Sequence, residues 1–239
     1  VIDRKSITAA ERVIVALDVP DLAGMTAFLD RLDGQARFCK IGLELFVSEG
    51  ARALEAAHKR GAKIFLDLKL HDIPETVSRA VVSAQSLGAE FLTVHTAGGF
   101  EMMRRAAEVA RGKPGILGVT VLTSLSEEDL RNDGIGGTMR EAVLRRAKLA
   151  ERASAVGIVC SPHEVADVRA ASGRLALVVP GVRPSGAALG DQKRVATPAR
   201  AIAAGADYLV VGRPIRDAEN PAAVFSAIVG EVESALVAS

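Results

Sequence analysis

Short runs of aliphatic and β-branched residues recur along the chain, separated by longer stretches whose apolar positions follow helical spacing. The runs fall at 13–19, 38–41, 64–68, 91–94, 116–122, 157–160, 175–179 and 208–211, which predicts eight strands. Their near-continuous apolar character suits parallel strands covered on both faces. Helical patterns such as 49–60, 75–87 and 100–111 lie between them, and Gly61, Gly88 and Gly205 stand where helices stop before the next strand. Eight strand–helix units in 239 residues predict an α/β fold, a (β/α)8 TIM barrel, with 1–239 as a single domain. An open doubly wound sheet would carry a glycine-rich turn after the first strand, where Asp18-Val19-Pro20 stands instead. Gly134-Ile135-Gly136-Gly137 follows a polar stretch and reads as a turn between two helices rather than a phosphate loop.

Composition narrows the function classes. Hydrophobic residues make up 49% of the chain, but charges break every run well short of the roughly 20 residues of a membrane span. Val1-Ile2-Asp3-Arg4-Lys5 does not read as the apolar stretch of a secretory signal. Thirty basic against 29 acidic residues leave no basic field for a nucleic-acid polymer. With no Trp and one Tyr, stacking platforms for single strands are scarce too. Cys39 and Cys160 are too few for a disulfide framework or a thiolate metal site. A reducing, cytoplasmic setting is expected, with neither membrane nor nucleic acid as partner.

In a barrel of this kind chemistry sits at the C-terminal ends of the strands, so the polar residues that close the apolar runs are the candidates. Asp18 ends the first run, Lys40 lies in the second, Asp67 and Lys69 close the third and His95 closes the fourth. Adjacent strands lie about 4.8 Å apart and residues two apart share a face. Asp67 and Lys69 should therefore point the same way, with Lys40 and Asp18 on neighbouring strands. One such pair would read as a structural salt bridge. Alternating charges on several strand ends point to a functional site.

These residues sit inside a recognisable pattern. Phe65-Leu66-Asp67-Leu68-Lys69-Leu70-His71-Asp72-Ile73-Pro74-Glu75-Thr76 closely resembles the signature of the orotidine 5′-monophosphate decarboxylase family. The resemblance extends over almost the whole chain. It takes in Ala16-Leu17-Asp18, Cys39-Lys40-Ile41-Gly42, Leu122-Thr123-Ser124, Pro180-Gly181-Val182-Arg183-Pro184 and Val211-Gly212-Arg213-Pro214-Ile215. The long motif is specific; the short ones support it.

The resemblance implies decarboxylation of orotidine 5′-monophosphate to uridine 5′-monophosphate with no metal and no other cofactor. Lys69 would protonate the carbanion left at C6, and Asp67 would lie beside the substrate carboxylate. Two like charges about 3.5 Å apart repel by about 5 kcal/mol at an effective dielectric of about 20, and loss of CO2 removes that repulsion. Lys40 and Asp72 would complete a Lys-Asp-Lys-Asp array that keeps Lys69 cationic. In the family Asp72, Ile73 and Thr76 reach the partner subunit's site, so a homodimer is implied. Asp18 and Lys40 resemble the ribose contacts and Thr123 a pyrimidine contact. Gly212 and Arg213 resemble the phosphate site, joined by Arg183 and Gln192 of the loop 183–192, which matches the family's closing loop.

Two other readings compete. Magnesium-dependent sugar-phosphate decarboxylases and aldolases of the same suprafamily share the Asp-x-Lys-x-x-Asp motif, but place a carboxylate on the second strand to help hold the metal. Lys40 stands there in this chain, and a cation repels Mg²⁺, which prefers carboxylate oxygens and water. A non-catalytic nucleotide-binding barrel would leave four charged groups at the mouth without a task. His58 and His163 read as surface and local hydrogen-bonding residues, and His71 receives no role. His95 reads as structural support, lacking an Asp partner for triad chemistry. Cys39 reads as a buried small hydrophobe, and Ser124 as at most a substrate contact.

Overall fold

A computed structural model describes residues 2–184 and 196–238. Eight strands form a closed parallel barrel in sequence order: β1 Val13–Ala16, β2 Phe38–Ile41, β3 Lys63–Leu70, β4 Phe91–His95, β5 Gly115–Val119, β6 Gly157–Val159, β7 Ala176–Pro180 and β8 Tyr208–Val211. β8 pairs with β1 through Val13↔Leu209 and closes the ring. The helices are α1 Ala9–Arg12, α2 Leu22–Arg31, α3 Leu43–Glu49, α4 Ala51–His58, α5 Pro74–Ser86 and α6 Gly99–Ala110. They continue with α7 Glu127–Asn132, α8 Met139–Arg152, α9 Val165–Ala171, α10 Pro198–Ala203, α11 Arg213–Arg216 and α12 Pro221–Val237. The expected TIM barrel is present.

Local chemistry sets most of the helix starts. Thr8, Ser126 and Thr138 close capping boxes with Glu11, Asp129 and Glu141. Pro74, Pro198 and Pro221 sit in the first turns of α5, α10 and α12, where the missing N–H costs nothing. Gly134 to Gly137 connect α7 and α8, as their turn chemistry indicated.

Several boundaries differ from the sequence pattern: β1 stops at Ala16 rather than at 19, β4, β6, β7 and α6 shift by a residue, and three further differences have a local reason. The pattern at 49–60 breaks at Gly50, whose φ of 53° separates α3 from α4. β5 stops at Val119, and the apolar tail of its run, Val121 and Leu122, lines a cavity instead of extending the strand. β3 continues to Leu70 through Asp67 and Lys69, because its charged end lies inside the barrel mouth.

Strand alternation divides the core in two. Outward-facing residues such as Val15, Cys39, Leu66, Leu92 and Val179 pack under the helices. Inward-facing Ile14, Phe38, Phe65, Phe91, Leu117, Val178, Tyr208 and Val210 fill the barrel. Of the seven Phe and one Tyr in the chain, Phe38, Phe65, Phe91 and Tyr208 are in this plug. Their rings meet edge-on or tilted, with centroids 5.3–6.4 Å apart. The plug is the floor on which the site stands. Two residues beyond Phe38 comes Lys40, and two beyond Phe65 comes Asp67.

Candidate active site

The inward register carries four charges to the C-terminal mouth. Ala16 pairs with Lys40 across β1 and β2, and Lys40 with Phe65 across β2 and β3. Lys40 is buried, and its Nζ lies 2.9 Å from Asp18 Oδ1 and 3.6 Å from Asp67 Oδ2. Asp67 Oδ2 also accepts from Lys69 Nζ at 2.9 Å. The order across the mouth is therefore Asp18–Lys40–Asp67–Lys69, each charge beside an opposite one. Gly42 makes room for it: a Cβ there would sit 2.9 Å from Lys40 Nζ and 3.2 Å from Asp18 Oδ1.

β3 departs from regular geometry at the candidate pair Asp67 and Lys69. Its register against β4 shifts between Leu66, opposite Leu92, and Leu70, opposite Val94, so four steps on β3 match two on β4. Lys69 takes a φ of 50°, a left-handed conformation that costs a residue with a Cβ about 1–2 kcal/mol. The bulge is held by Thr93 of β4. Its Oγ1 accepts the Lys69 N–H at 2.8 Å and donates to Asp67 Oδ1 at 3.0 Å. Both Asp67 oxygens thus have partners.

Above the plug lies a cavity of about 200 Å³, lined by Lys40, Asp67, Lys69 and Thr123 with Val121, Cys160, Pro180 and Val210 among the apolar residues. A larger groove of about 600 Å³ runs between α5 and α6, beside Gln85 and Arg105 and away from the strand ends. We assign the chemistry to the smaller cavity, because it alone of the two receives charges from several strands.

The remaining candidates spread around the mouth. Asp72 is exposed, and its Oδ1 accepts the Ile73 N–H at 2.6 Å. Among the described residues it makes no ion pair with Lys40 or Lys69, so the array within one chain contains Asp18 rather than Asp72. Ile73 and Thr76 are exposed beside it, Ile73 by 65% despite its apolar side chain. Gly212 caps α11, and its Cα edge faces Asp18: a Cβ there would lie 3.6 Å from Asp18 Oδ2. Arg213 follows as the first residue of α11. Arg183 is buried after β7, and its N–H donates to Ala196 O at 3.0 Å while Val182 bridges Ala196. Gln192 and most of the loop 183–192 lie outside the described residues.

Two residues of the site went unread in the sequence. Thr93 is the middle inward position of β4, between Phe91 and His95, and a polar residue at that step of an apolar run was the available signal. Arg216 donates to the Asp18 carbonyl at 2.8 Å and holds the turn that carries that carboxylate. Nothing local announces this bond, since 198 residues separate the partners.

His95 and both cysteines are neutral near pH 7. His95 Nδ1 accepts the Ala97 N–H, and its ring stacks on His71 with centroids 5.4 Å apart. Burial, helped by the positive field of Arg146, His71 and Lys69, holds the His95 pKa down to about 4, so the ring is neutral near pH 7. Burial pushes the Cys39 thiol up to about 12 and raises Cys160 as well, which leaves both protonated and inert. Among the described residues no cluster of three or more His, Cys, Asp and Glu could hold a metal ion, and no helix is long and apolar enough to cross a membrane.

This geometry can be set beside known proteins. Residues 11–228 match the family model described as orotidine 5′-phosphate decarboxylase / HUMPS family. The orotidine 5′-phosphate decarboxylase of Anaeromyxobacter sp. (strain K) is 54% identical over 220 residues, covering 92% of this chain and 97% of that protein. The enzyme of the same name from Rhodopseudomonas palustris (strain BisA53) is 50% identical over 235 residues, covering 96% and 97%. The crystal structure of orotidine 5′-phosphate decarboxylase from Lactobacillus acidophilus superposes with a TM-score of 0.82 at 37% identity, covering 92% of this chain and 98% of that one. With an eight-stranded barrel, a charged array at its mouth and similarity along nearly its whole length, the chain belongs to the orotidine 5′-phosphate decarboxylase family of carboxy-lyases.

Proposed function

We propose that this single barrel converts orotidine 5′-monophosphate to uridine 5′-monophosphate without metal or organic cofactor. One observation carries the reading: the Lys69 ammonium, partly exposed, stands at the cavity 2.9 Å from Asp67 Oδ2, with Lys40 Nζ 3.6 Å from the same oxygen. The C6–carboxylate bond breaks, CO2 leaves and the electron pair stays on C6. Lys69 stabilises that charge and transfers a proton to the carbon, and solvent restores the lysine. Asp67 lies beside the substrate carboxylate, where repulsion is relieved as CO2 departs. Its carboxylate accepts a hydrogen bond from Lys69 Nζ and lies 3.6 Å from Lys40 Nζ, opposing the charge of both ammonium groups.

Asp18 and Lys40 hold the ribose hydroxyls, and Thr123 contacts the pyrimidine. Gly212, Arg213, Arg183 and Gln192 hold the phosphate, whose binding energy organises the site. Asp72, Ile73 and Thr76 complete the site of a second subunit. The exposure of Ile73 and the separation of Asp72 from its own chain's lysines support that role. The two buried, protonated cysteines suit a reducing cytoplasmic setting.

The test is the ultraviolet absorbance change when orotidine 5′-monophosphate is added to protein stripped of metal by a chelator. Undiminished turnover is expected; strict magnesium dependence would favour the sugar-phosphate reading, and no turnover with tight binding the non-catalytic one. In the same assay Arg213→Ala should lose about 100-fold in kcat/KM on the nucleotide and little on the phosphate-free nucleoside. Equal losses on both would remove Arg213 from the phosphate site.

A further inference from the structure

The bulge in β3 places Lys69, and the side chain that holds the bulge belongs to neither β3 nor the charged array. We infer that Thr93 is a positioning residue for the reaction: its hydroxyl sets both the backbone position of Lys69 and the orientation of the Asp67 carboxylate. The inference rests on the reading of Asp67 and Lys69 as the reacting pair.

A hydroxyl has one proton to give and lone pairs to accept with. Thr93 Oγ1 accepts the Lys69 N–H at 2.8 Å, so its own proton is free to point at Asp67 Oδ1, 3.0 Å away. The direction of both bonds follows from the chemistry of the partners, since an amide nitrogen only donates and a carboxylate only accepts. Thr93 is fully buried, and branching at Cβ restricts its χ1, so the hydroxyl has little freedom to turn elsewhere. Two consequences follow. The Lys69 N–H, displaced from the strand ladder by the bulge, has a fixed partner, which helps sustain the left-handed φ of 50°. Asp67 is pinned through Oδ1, so Oδ2 alone serves Lys69 at 2.9 Å and Lys40 at 3.6 Å. Without the hydroxyl the carboxylate can rotate and offer both oxygens to the lysines, drawing Lys69 Nζ from its place at the cavity.

Other buried threonines of the barrel show what an ordinary role looks like. Thr96 Oγ1 donates to Val119 O and Thr120 Oγ1 to Val159 O, tying strand ends to backbone carbonyls. Thr93 instead spends its proton on a site carboxylate.

The experiment is steady-state kinetics on orotidine 5′-monophosphate for Thr93→Val, which keeps the shape and removes the hydroxyl, and Thr93→Ser, which keeps the hydroxyl. Thr93→Val should lower kcat about 100-fold, as expected for displacement of a reacting group by about 1 Å, and change KM by less than about threefold. Thr93→Ser should restore kcat to within about threefold of the parent. A Thr93→Val kcat within about twofold of the parent, or a Thr93→Ser enzyme as impaired as Thr93→Val, overturns the inference. Should Thr93→Val fail to fold, Thr93→Ala, which relieves crowding, carries the same expected loss and the same refutation. Lys69→Ala and Asp67→Asn, measured alongside, separate the two levels. If both retain parental kcat, the reading of the array falls; if both lose it while Thr93→Val does not, only the role of Thr93 falls.

Discussion

The barrel carries a charge cluster at each end, and the two are built to different rules. At the N-terminal end Asp207, 4% exposed, receives Arg169 Nη2 at 2.6 Å and the Leu177 N–H at 2.8 Å, with Arg4 Nε 2.9 Å away. The arginines spend their other donors on carbonyls: Arg4 on Leu175, Arg169 on Leu175 and Gly205, and Arg12 on Asp207 and Arg4. Planar guanidinium groups suit such fixed, many-partnered bonding. At the C-terminal end the cations are lysines, and Lys69, 34% exposed, meets the single carboxylate Asp67 beside an open cavity. An ammonium has three donors, so Lys69 has capacity for a substrate. The lower cluster engages both Asp207 oxygens and clasps the chain's N-terminal segment to β7 and β8, although Arg4 Nε and Arg12 Nε make no hydrogen bond among the described residues. The upper cluster is assembled but unspent. What sets the upper cluster apart is the cavity its charges line.

The sharpest way to break this comparison is to remove one charge from each cluster. Lys69→Ala should lower kcat by about 10³- to 10⁴-fold while thermal unfolding stays close to that of the parent. Asp207→Ala should do the reverse. Leaving the partly buried Arg4 and Arg169 and the buried Leu177 N–H without their partner costs about 2–3 kcal/mol, which lowers Tm by about 5–10 °C, while kcat per folded molecule holds. Parental kcat in the first variant, or lost kcat at full stability in the second, would erase the distinction.

The next largest effect concerns the ownership of the upper site. Mixing Lys69→Ala with Asp72→Asn protein, each nearly inactive, should restore activity if Asp72 serves the partner. Random exchange in a two-fold dimer leaves about a quarter of the sites intact. No recovery despite proven subunit exchange would return Asp72 to its own chain. A smaller effect is expected at Gly42, where the Cβ of Gly42→Ala would displace Lys40 Nζ and Asp18 Oδ1. Activity should fall about 10-fold with little change in Tm, because the atoms that must move are the ends of flexible side chains. Unchanged kinetics would show the upper array to be slack.

The smallest effect is a dependence on pH. His95 is held at about 4 in the folded protein against an ordinary 6.5, so between those values the unfolded chain binds a proton that the folded one refuses. Stability therefore falls as pH drops through that window, and His95→Gln should remove this part of the loss. Urea midpoints at pH 7 and pH 4.5 would read it; an identical acid decrement in parent and variant would show that the mouth makes no such trade.

Sequence reading reached different depths in different places. All eight strands were visible in runs of apolar residues, and β2 and β8 were located to the residue, since both are short, wholly buried and bounded by polar turns. Asp67 and Lys69 were legible as co-facing because both lie on one strand. Asp72 was grouped with them through the motif, yet in space it turns away to the Ile73 N–H. The end of β5 was misplaced because a cavity wall and a strand have the same apolar signature. Asp18 was seen as a candidate, but its place as the outer charge of the array follows from the pairing of β1 with β2.

By itself the sequence determined the number and order of the strands, the capped starts of many helices, the aromatic residues at inward positions and the types of charge two steps beyond them. These are local matters, governed by the two- and 3.6-residue periods and by side chains bonding within a turn. Only the tertiary structure decided which charges meet. Barrel closure and register bring Asp18, Lys40, Asp67 and Thr93 together from four strands. The bulge turns Lys69 toward the cavity, and packing at the other end saturates Asp207. Such contacts join residues far apart in the chain, and their geometry depends on how all eight strands fit into one ring, which no single segment encodes.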